Sequence, residues 1–408
     1  MPGSAARLRL RWSEQGRQQR GFALSESIEI RNVGGMVTGR LGETGLKMPE
    51  VIRVEDGLIV GFEPGPEPDA VLDAGGAVVA PGLIDSHAHV VFGDWTPRQS
   101  ALGWIESSLH GGVTMMMSAS EVHLPGRPHD REGVKALALT AQRAFDTFRP
   151  GGVKVLAGSV IMEPSLTPDD FAEMAAQGVW LAKVGFGDFS PQADAAPLVR
   201  AAQEHGFVVM NHTGGASIPD SSPVTIEDVM ALGCDIIGHA NGGTTALADE
   251  DLRRLFEAPG QIQLVQAGNL RSSLEILDLA YDLDSLNRLL IATDTPTGTG
   301  VMPLGMLKTV CELSSLGGLR GTDAIALASG NNAAVLRRPE GILEPGRPAD
   351  LFCCFAPLGS TCEGPIESIE FGDIPGIAAV MVDGKVQALR SRNTPAPSGE
   401  CRFIEKGK

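Results

Sequence analysis

The sequence lacks long apolar runs, an excess of positive charge and any Cys-x-x-Cys spacing. No apolar stretch reaches the ~18 residues of a membrane span, so we expect no membrane partner. The chain has 33 basic and 50 acidic residues and a net charge of -17, and such a negative field repels nucleic acid. With 43% hydrophobic residues in 408, the composition is typical of a globular protein with a sizeable core.

The cysteines and the N-terminal residues bear on the compartment. Cys353 and Cys354 are adjacent in an apolar stretch, and the other four cysteines are scattered. This usage predicts buried, reduced thiols in a cytoplasmic protein rather than a disulfide framework or a zinc ribbon. Residues 1–24 are rich in arginine but lack the apolar segment of a secretory signal. We interpret them as a basic extension, with an organelle transit peptide as the alternative.

Short alternating segments lie at both ends of the chain. From Ser27 to Val79 they are broken by glycine and proline, which is the texture of antiparallel strands. The same texture returns after Arg337. We therefore predict one composite β-sandwich from residues 25–80 and 338–395, followed by a C-terminal tail at 396–408.

Residues 81–337 have a different texture, in which short apolar runs alternate with segments of helical periodicity. This pattern predicts a (β/α)8 TIM barrel in an α/β fold, since about 250 residues suffice for one. A doubly wound open sheet is the alternative, but no Gly-x-Gly-x-x-Gly follows the first strand. The eight runs are Leu83–Ile84, Val113–Met117, Val153–Ala157, Val179–Val184, Phe207–Met210, Asp235–Ile237, Ile262–Val265 and Leu289–Ala292.

The sharpest motif is a His-x-His pair, His87 and His89, at the end of the first of these runs. Residues i and i+2 of a strand share one face, so both imidazoles can reach one cation. The alternative is a pair of hydrogen-bonded core histidines.

Four further residues favour the metal interpretation, because Lys183, His212, His239 and Asp294 each lie near the carboxyl end of a different predicted strand. Active sites of barrel enzymes are built at that rim. Imidazoles and a carboxylate suit zinc, with iron, manganese, cobalt or nickel as alternatives.

Lys183 is the unusual member of the set, since an ammonium would repel cations. A desolvated, neutral amine can add carbon dioxide, and the carboxylated lysine then bridges two divalent metal ions. The alternative is a buried lysine paired with Asp294. With two cations, attack by a metal-bridging hydroxide follows, and Asp294 acts as the general acid and base that passes the proton to the leaving nitrogen.

Loop residues predict substrate contacts. Arg98 and Arg127 follow the first two predicted strands, where a guanidinium can clamp a substrate carboxylate. The alternative for each is a surface arginine or one that braces its loop. Thr213, Asn241 and Thr295 follow proposed ligands and can donate to a carbonyl oxygen, or instead cap a turn.

Together these residues resemble the amidohydrolase superfamily over residues 25 to 395. Loop segments resemble the members that open cyclic enamides; they are residues 93–99, 125–128, 212–215, 241–243, 298–300, 372–376 and 391–395. The resemblance implies a binuclear metallohydrolase that cleaves the C–N bond of a small cyclic amide or enamide. It also implies that the protein forms a homo-oligomer, namely a tetramer. A dipeptidase of linear peptides and a mononuclear deaminase of the same superfamily are the alternatives.

Overall fold

The computed structural model describes residues 27–90, 98–122, 126–216, 221–243, 245–296 and 303–405, with the backbone alone at 98–101. The predicted extension at residues 1–24 lies outside these residues. In the described ranges no helix is both long and apolar enough to cross a lipid bilayer.

The strands, in chain order, are β1 (Ser27–Arg31), β2 (Gly35–Met36), β3 (Ile52–Glu55), β4 (Leu58–Gly61), β5 (Ala70–Asp73), β6 (Val78–Pro81), β7 (Leu83–Ala88), β8 (Val113–Ser118), β9 (Lys154–Leu156), β10 (Ser159–Ile161), β11 (Leu181–Val184), β12 (Val208–Asn211), β13 (Ile236–Ile237), β14 (Gln261–Val265), β15 (Leu289–Ala292), β16 (Leu351–Phe355), β17 (Gly376–Val382), β18 (Lys385–Leu389) and β19 (Arg402–Glu405).

The α-helices are α1 (Arg98–Leu109), α2 (Arg131–Phe145), α3 (Pro168–Ala176), α4 (Ala196–Glu204), α5 (Ile226–Leu232), α6 (Asp249–Leu252), α7 (Leu270–Asp282), α8 (Gly305–Gly317), α9 (Gly321–Leu327), α10 (Gly330–Val335) and α11 (Pro365–Phe371). Short 3-10 turns cover Pro150–Gly152, Gln192–Ala195, Arg253–Phe256 and Leu286–Arg288.

Two five-stranded sheets combine strands from both ends of the chain. Their orders are β19-β5-β1-β3-β4 and β18-β17-β16-β6-β2. Antiparallel pairs dominate, while β1 with β5 and β2 with β6 are parallel. Ile30 and Leu72 of the first sheet share one buried cluster with Val79, Leu351 and Met381 of the second. The two sheets therefore pack face to face over a common apolar layer.

Between these sheets in sequence, parallel strands alternate with helices, in the orders β7-β8-β9 and β10-β11-β12-β13-β14-β15. Each predicted apolar run contributes a strand, so this part of the sequence prediction is confirmed. The strand β10 was not predicted from the sequence. Gly158, at φ +92, separates β10 from β9, and a β-carbon there would lie 2.8 Å from the carbonyl oxygen of Ala138.

Local signals explain where the helices begin. Thr167 and Thr225 each form a capping box with the aspartate three residues later, before α3 and α5. Asp130 accepts a hydrogen bond from the backbone N–H of Gly133 at the start of α2. Acidic and threonine capping signals in the sequence therefore place these helices between the parallel strands.

Hydrogen bonds connect the ends of the two parallel sheets. The N–H of Asp294 donates to the carbonyl of His87 at 2.8 Å, and the N–H of His89 donates to that of Thr295 at 2.9 Å. At the other seam, the N–H of Glu121 donates to the carbonyl of Ser159 at 3.1 Å. The first and last parallel strands are thus neighbours, and a buried apolar cluster fills the space between strands; it includes Ile84, Met115, Met117, Leu181, Val208, Met210 and Leu290.

Two expectations from the sequence need correction. The predicted tail at 396–408 includes β19, which pairs antiparallel with β5, because its apolar residues, such as Phe403, pack on the first sheet. The cysteines are all free, but only Cys234, Cys311, Cys353 and Cys354 are buried, whereas Cys362 and Cys401 are partly exposed.

A buried ion cluster joins the parallel region to the second sheet. Lys154 of β9 lies 3.0 Å from Glu340, 2.8 Å from Asp350 and 2.8 Å from Asp383. Burial alone would lower the pKa of Lys154, but the three carboxylates raise it above its ordinary value. Lys154 is therefore charged at neutral pH and neutralises acids that precede and follow strands of the sheet.

We expect Lys154→Met to lower the free energy of unfolding by about 3–5 kcal/mol, because it leaves the buried carboxylate of Asp350 without a cation. Urea unfolding followed by circular dichroism measures the change. The control is Arg254→Met, which removes an exposed pair with Glu227 and should leave the free energy of unfolding nearly unchanged. Equal losses in the two variants would contradict the buried-cluster account.

Candidate metal centre

The six predicted ligands all lie at the carboxyl ends of parallel strands. His87 is in β7 and His89 follows it, Lys183 is in β11, His212 follows β12, His239 follows β13 and Asp294 follows β15. Five of them are buried, and Asp294 is partly exposed. The structure therefore brings together side chains that are more than 200 residues apart in sequence.

The four histidine rings form a continuous row. Ring centroids are 5.7 Å apart for His89 and His87, 5.4 Å for His87 and His239, and 4.5 Å for His239 and His212. Phe186 closes the end of the row, with its ring centroid 5.0 Å from that of His212. The imidazoles thus lie side by side and shield one another from water.

Asp294 contacts the first two histidines. Its Oδ1 lies 3.3 Å from Nε2 of His87 and 3.1 Å from Nε2 of His89. The three ligand atoms lie within 4.8 Å of one another. One cation can therefore be reached by all three groups at once.

The protonation states fit metal binding. Burial, together with nearby Lys183, lowers the pKa of His87 well below its ordinary value, and burial followed by His212 does the same for His239. Burial alone would raise the pKa of Asp294, but His87, His89 and His239 hold it well below the usual range. These shifts favour neutral His87 and His239 and an ionised Asp294 at neutral pH.

This donor set fits a divalent cation. Nε2 of His87 and Oδ1 of Asp294 are both possible metal ligands, and at 3.3 Å apart they can bind one cation together. His212 gives a second indication. Its Nε2 lies 2.8 Å from the carbonyl oxygen of Gly215, which can only accept, so the unprotonated nitrogen is Nδ1.

Lys183 is 1% exposed and has no carboxylate oxygen within 4.0 Å among the described residues. Its Nζ lies 3.3 Å from the sulfur of Met210. As predicted from its apolar strand, burial lowers the pKa of Lys183, to about 8, even though Asp294 acts in the opposite direction. The alternative of a direct pair with Asp294 is wrong.

The backbone is constrained at this rim. His239 and Asp294 have φ values of 36° and 55°, in the left-handed region that side chains rarely adopt. Gly185 follows β11 at φ +112, and a β-carbon there would lie 2.4 Å from Cβ of His212. Glycine therefore lets the end of β11 approach His212 closely.

Arg127 does not fit the predicted substrate clamp. Its guanidinium is buried, lies 2.5 Å from Oε1 of Glu163, and donates to the carbonyls of Pro128 and Phe186 at 3.0 and 2.5 Å. An arginine so engaged braces the loop that holds Phe186 against His212. The bracing alternative considered from the sequence therefore describes it better.

The remaining predicted substrate contacts are also engaged within the protein. Asn241 donates to the carbonyl of Val265 and to Ser273, both at 2.9 Å. The hydroxyl of Thr213 accepts from Asn211 at 3.0 Å, and that of Thr295 lies 2.8 Å from the hydroxyl of Thr293. All three side chains are buried. The side chain of Arg98 lies outside the described residues.

Sequence reasoning missed several buried polar residues next to the ligands. Asp85 receives hydrogen bonds from the N–H of Thr293 at 3.0 Å and from its hydroxyl at 2.5 Å, and so holds the chain just before Asp294. Gln263 contacts Nδ1 of His87 at 2.6 Å. The signal that could have found Gln263 is a lone polar residue inside the apolar run of β14.

Comparisons with known proteins place this site in a family. The family model described as the amidohydrolase family matches residues 78–387. The chain is 42% identical to an enamidase of Eubacterium barkeri over 389 residues, which are 93% of this chain and 100% of the relative. It is 25% identical to an imidazolonepropionase of Salinispora arenicola (strain CNS-205), covering 81% of this chain and 93% of the relative.

Among solved structures, the crystal structure of an enamidase matches with a TM-score of 0.87 and 40% identity, over 93% of this chain and 100% of that chain. A prolidase-like structure from Bifidobacterium longum shares the fold alone, at a TM-score of 0.63 and 18% identity, over 91% and 96% of the two chains. The sequence-based resemblance is confirmed: this chain belongs to the amidohydrolase family and is a metal-dependent amidohydrolase.

Proposed function

We propose that this enzyme is a binuclear hydrolase that opens the C–N bond of a small cyclic amide, specifically an enamide. The observation that carries the proposal is the 42% identity to an enamidase across 100% of that relative. The buried histidine, lysine and aspartate set supports it, because hydrolysis of an unactivated amide needs a strong nucleophile and a polarised carbonyl.

The fold proposal is a closed (β/α)8 barrel over residues 81–337, with residues 25–80 and 338–395 as a composite β-sandwich. The hydrogen bonds from His89 to Thr295 and from Asp294 to His87 support closure between the first and last strands. The bond from Glu121 to Ser159 supports closure across the β9–β10 interruption. Closure matters for function because it places all six proposed ligands at the same end of the barrel, where they can form one site.

His87, His89 and Asp294 would hold one cation, and His212 and His239 a second. Carboxylated Lys183 would bridge the two, with zinc as the first candidate and iron, manganese, cobalt or nickel as the others. When bound, such cations supply a nucleophile from water at neutral pH and polarise the scissile carbonyl. The pKa shifts that keep His87 and His239 neutral and Asp294 ionised favour this loading.

Asp294 would move the proton. It is the most exposed of the proposed ligands, at 19% of its side chain. Because Oδ1 faces His87 and His89, Oδ2 would be the oxygen that takes a proton from the attacking water and returns it to the leaving nitrogen. The positive φ of Asp294 holds the carboxylate in this position.

We further propose that the enzyme is a homo-oligomer, namely a tetramer, and that it acts in the cytoplasm on a small-molecule substrate. Arg98 is the remaining candidate for binding a carboxylate of that substrate. Light scattering coupled to size-exclusion chromatography determines the oligomeric state.

We expect Lys183→Ala to lower kcat by more than about 100-fold, because it removes the bridging oxygens, and high formate or acetate to restore part of the loss. The measurement is the rate of enamide opening with and without added formate. The matched control is Lys135→Ala, which removes another buried lysine, one that pairs with Asp170 and Glu173 outside the site. Full activity in Lys183→Ala without formate would rule out the bridge.

Elemental analysis of the purified protein should give about two divalent metal ions per chain, and chelation should abolish turnover until metal is restored. Turnover is assayed on cyclic enamides, saturated lactams, hydantoins, dipeptides and amino-substituted heterocycles. We expect opening of the enamide ring to be fastest. Peptide cleavage with two metals would support the dipeptidase alternative instead, and ammonia release with one metal the deaminase.

A further inference from the structure

A fully buried chain of hydrogen bonds leads from a helix to the first proposed ligand. It consists of Asn332 in α10, Ser86 and His87 in β7, and Gln263 in β14, and we call it the amide chain. Each of the four residues is at most 1% exposed. Because water does not reach these groups, each one must form its hydrogen bonds with another member of the amide chain or with a backbone group.

The backbone fixes the orientation of Asn332. Its Nδ2 lies 2.9 Å from the carbonyl oxygen of Ile84, 2.8 Å from that of Ile291 and 3.2 Å from that of Leu327. Carbonyls only accept, so this side of the amide must be its N–H side. Oδ1 of Asn332 is therefore an acceptor, and the hydroxyl of Ser86 donates to it at 2.7 Å.

That donation orients Gln263 in turn. The hydrogen of the Ser86 hydroxyl is committed to Asn332, so the Ser86 oxygen accepts from Nε2 of Gln263 at 2.8 Å. Two backbone groups favour the same orientation. Nε2 of Gln263 also faces the carbonyl oxygen of Ser86 at 3.4 Å, and Oε1 accepts from the backbone N–H of His239 at 3.4 Å.

The chain ends on His87. Oε1 of Gln263 lies 2.6 Å from Nδ1 of His87 and can only accept, so Nδ1 must carry the hydrogen. In the neutral ring the lone pair is then on Nε2, the nitrogen that faces Asp294 at 3.3 Å. The same amide oxygen contacts the backbone of His239, a second proposed ligand.

We propose that Gln263 is a positioning residue that holds His87 as the Nδ1–H tautomer, and so presents Nε2 to a divalent cation. The inference rests on the proposed metal site. It gives a role to a strand that contributes no proposed ligand, and it explains a buried amide in the middle of the apolar run of β14. Outer hydrogen bonds of this kind fix both the tautomer and the ring orientation of metal-binding histidines.

The test compares Gln263→Met with Gln263→Glu after loading with zinc. Methionine removes the acceptor at similar size, and we expect it to speed zinc transfer to a chelator by about 10- to 100-fold. Glutamate keeps an oxygen facing Nδ1, and we expect zinc retention within about threefold of the parent. Gln192→Met is the matched control, since Gln192 is equally buried but donates to the carbonyls of Gly187 and Phe189.

A second readout does not depend on metal. Nitrogen-15 NMR of histidine-labelled, metal-free full chain reports each tautomer, with His87 assigned by comparison with His87→Asn. We expect Nδ1–H in the parent and in Gln263→Glu. In Gln263→Met the proton should move toward Nε2, because ionised Asp294 lies 3.3 Å away and accepts from it.

The inference is overturned if His87 carries its proton on Nε2 in the metal-free parent, or if Gln263→Met holds zinc as well as Gln192→Met does. Failure of the proposed function has a different result. A parent chain that takes up no zinc would disprove the metal site, whereas the NMR comparison would still decide whether Gln263 sets the tautomer. Thermal unfolding of each variant checks that the fold is intact.

Discussion

The close approach of Asp294 to two imidazoles at the carboxyl ends of the parallel strands is the constraint on which the rest of this protein depends. Oδ1 of Asp294 faces Nε2 of both His87 and His89. Imidazole nitrogens and a carboxylate oxygen packed so closely form a donor set that suits a divalent cation. The same burial lowers the pKa of His87 and His239 well below the ordinary value and lowers that of Lys183 to about 8. Burial of these side chains therefore shifts their pKa values and sets the chemistry that the site can perform.

The apolar residues that stabilise the parallel strands lie apart from the proposed metal ligands. Methionine, leucine and isoleucine side chains fill the space between the parallel strands below the ligands. The polar ligands are confined to the carboxyl ends of the strands, where His239 and Asp294 adopt left-handed backbone conformations. Such strain persists only where surrounding structure determines it. At Asp294 this structure is the hydrogen bond from its N–H to His87 and the two bonds from Thr293 to Asp85.

Some polar residues around the site contact the proposed metal ligands, whereas others form hydrogen bonds that brace the loops and strands. Arg127 has the chemistry of a carboxylate clamp, yet Glu163 and two carbonyls already use its guanidinium. Asn241 likewise braces the end of β14. Gln263 has an ordinary side chain, but it lies opposite Nδ1 of His87 and so contacts a proposed metal ligand directly. Position within the hydrogen-bond network, rather than residue type, decides the role.

Local sequence patterns determined much of this molecule. Alternation of apolar runs with capped amphipathic segments predicted the parallel strands and their helices, because both patterns express short-range geometry. His87, His89, Lys183, His212, His239 and Asp294 could be identified because each falls at the end of a run. Only the tertiary structure decided that Gln263 lies opposite Nδ1 of His87, that Arg127 is already paired, and that residues 402–405 form an edge strand. Those outcomes depend on contacts between residues far apart in the chain, such as Gln263 with His87 across 176 positions, and no local pattern records such pairings.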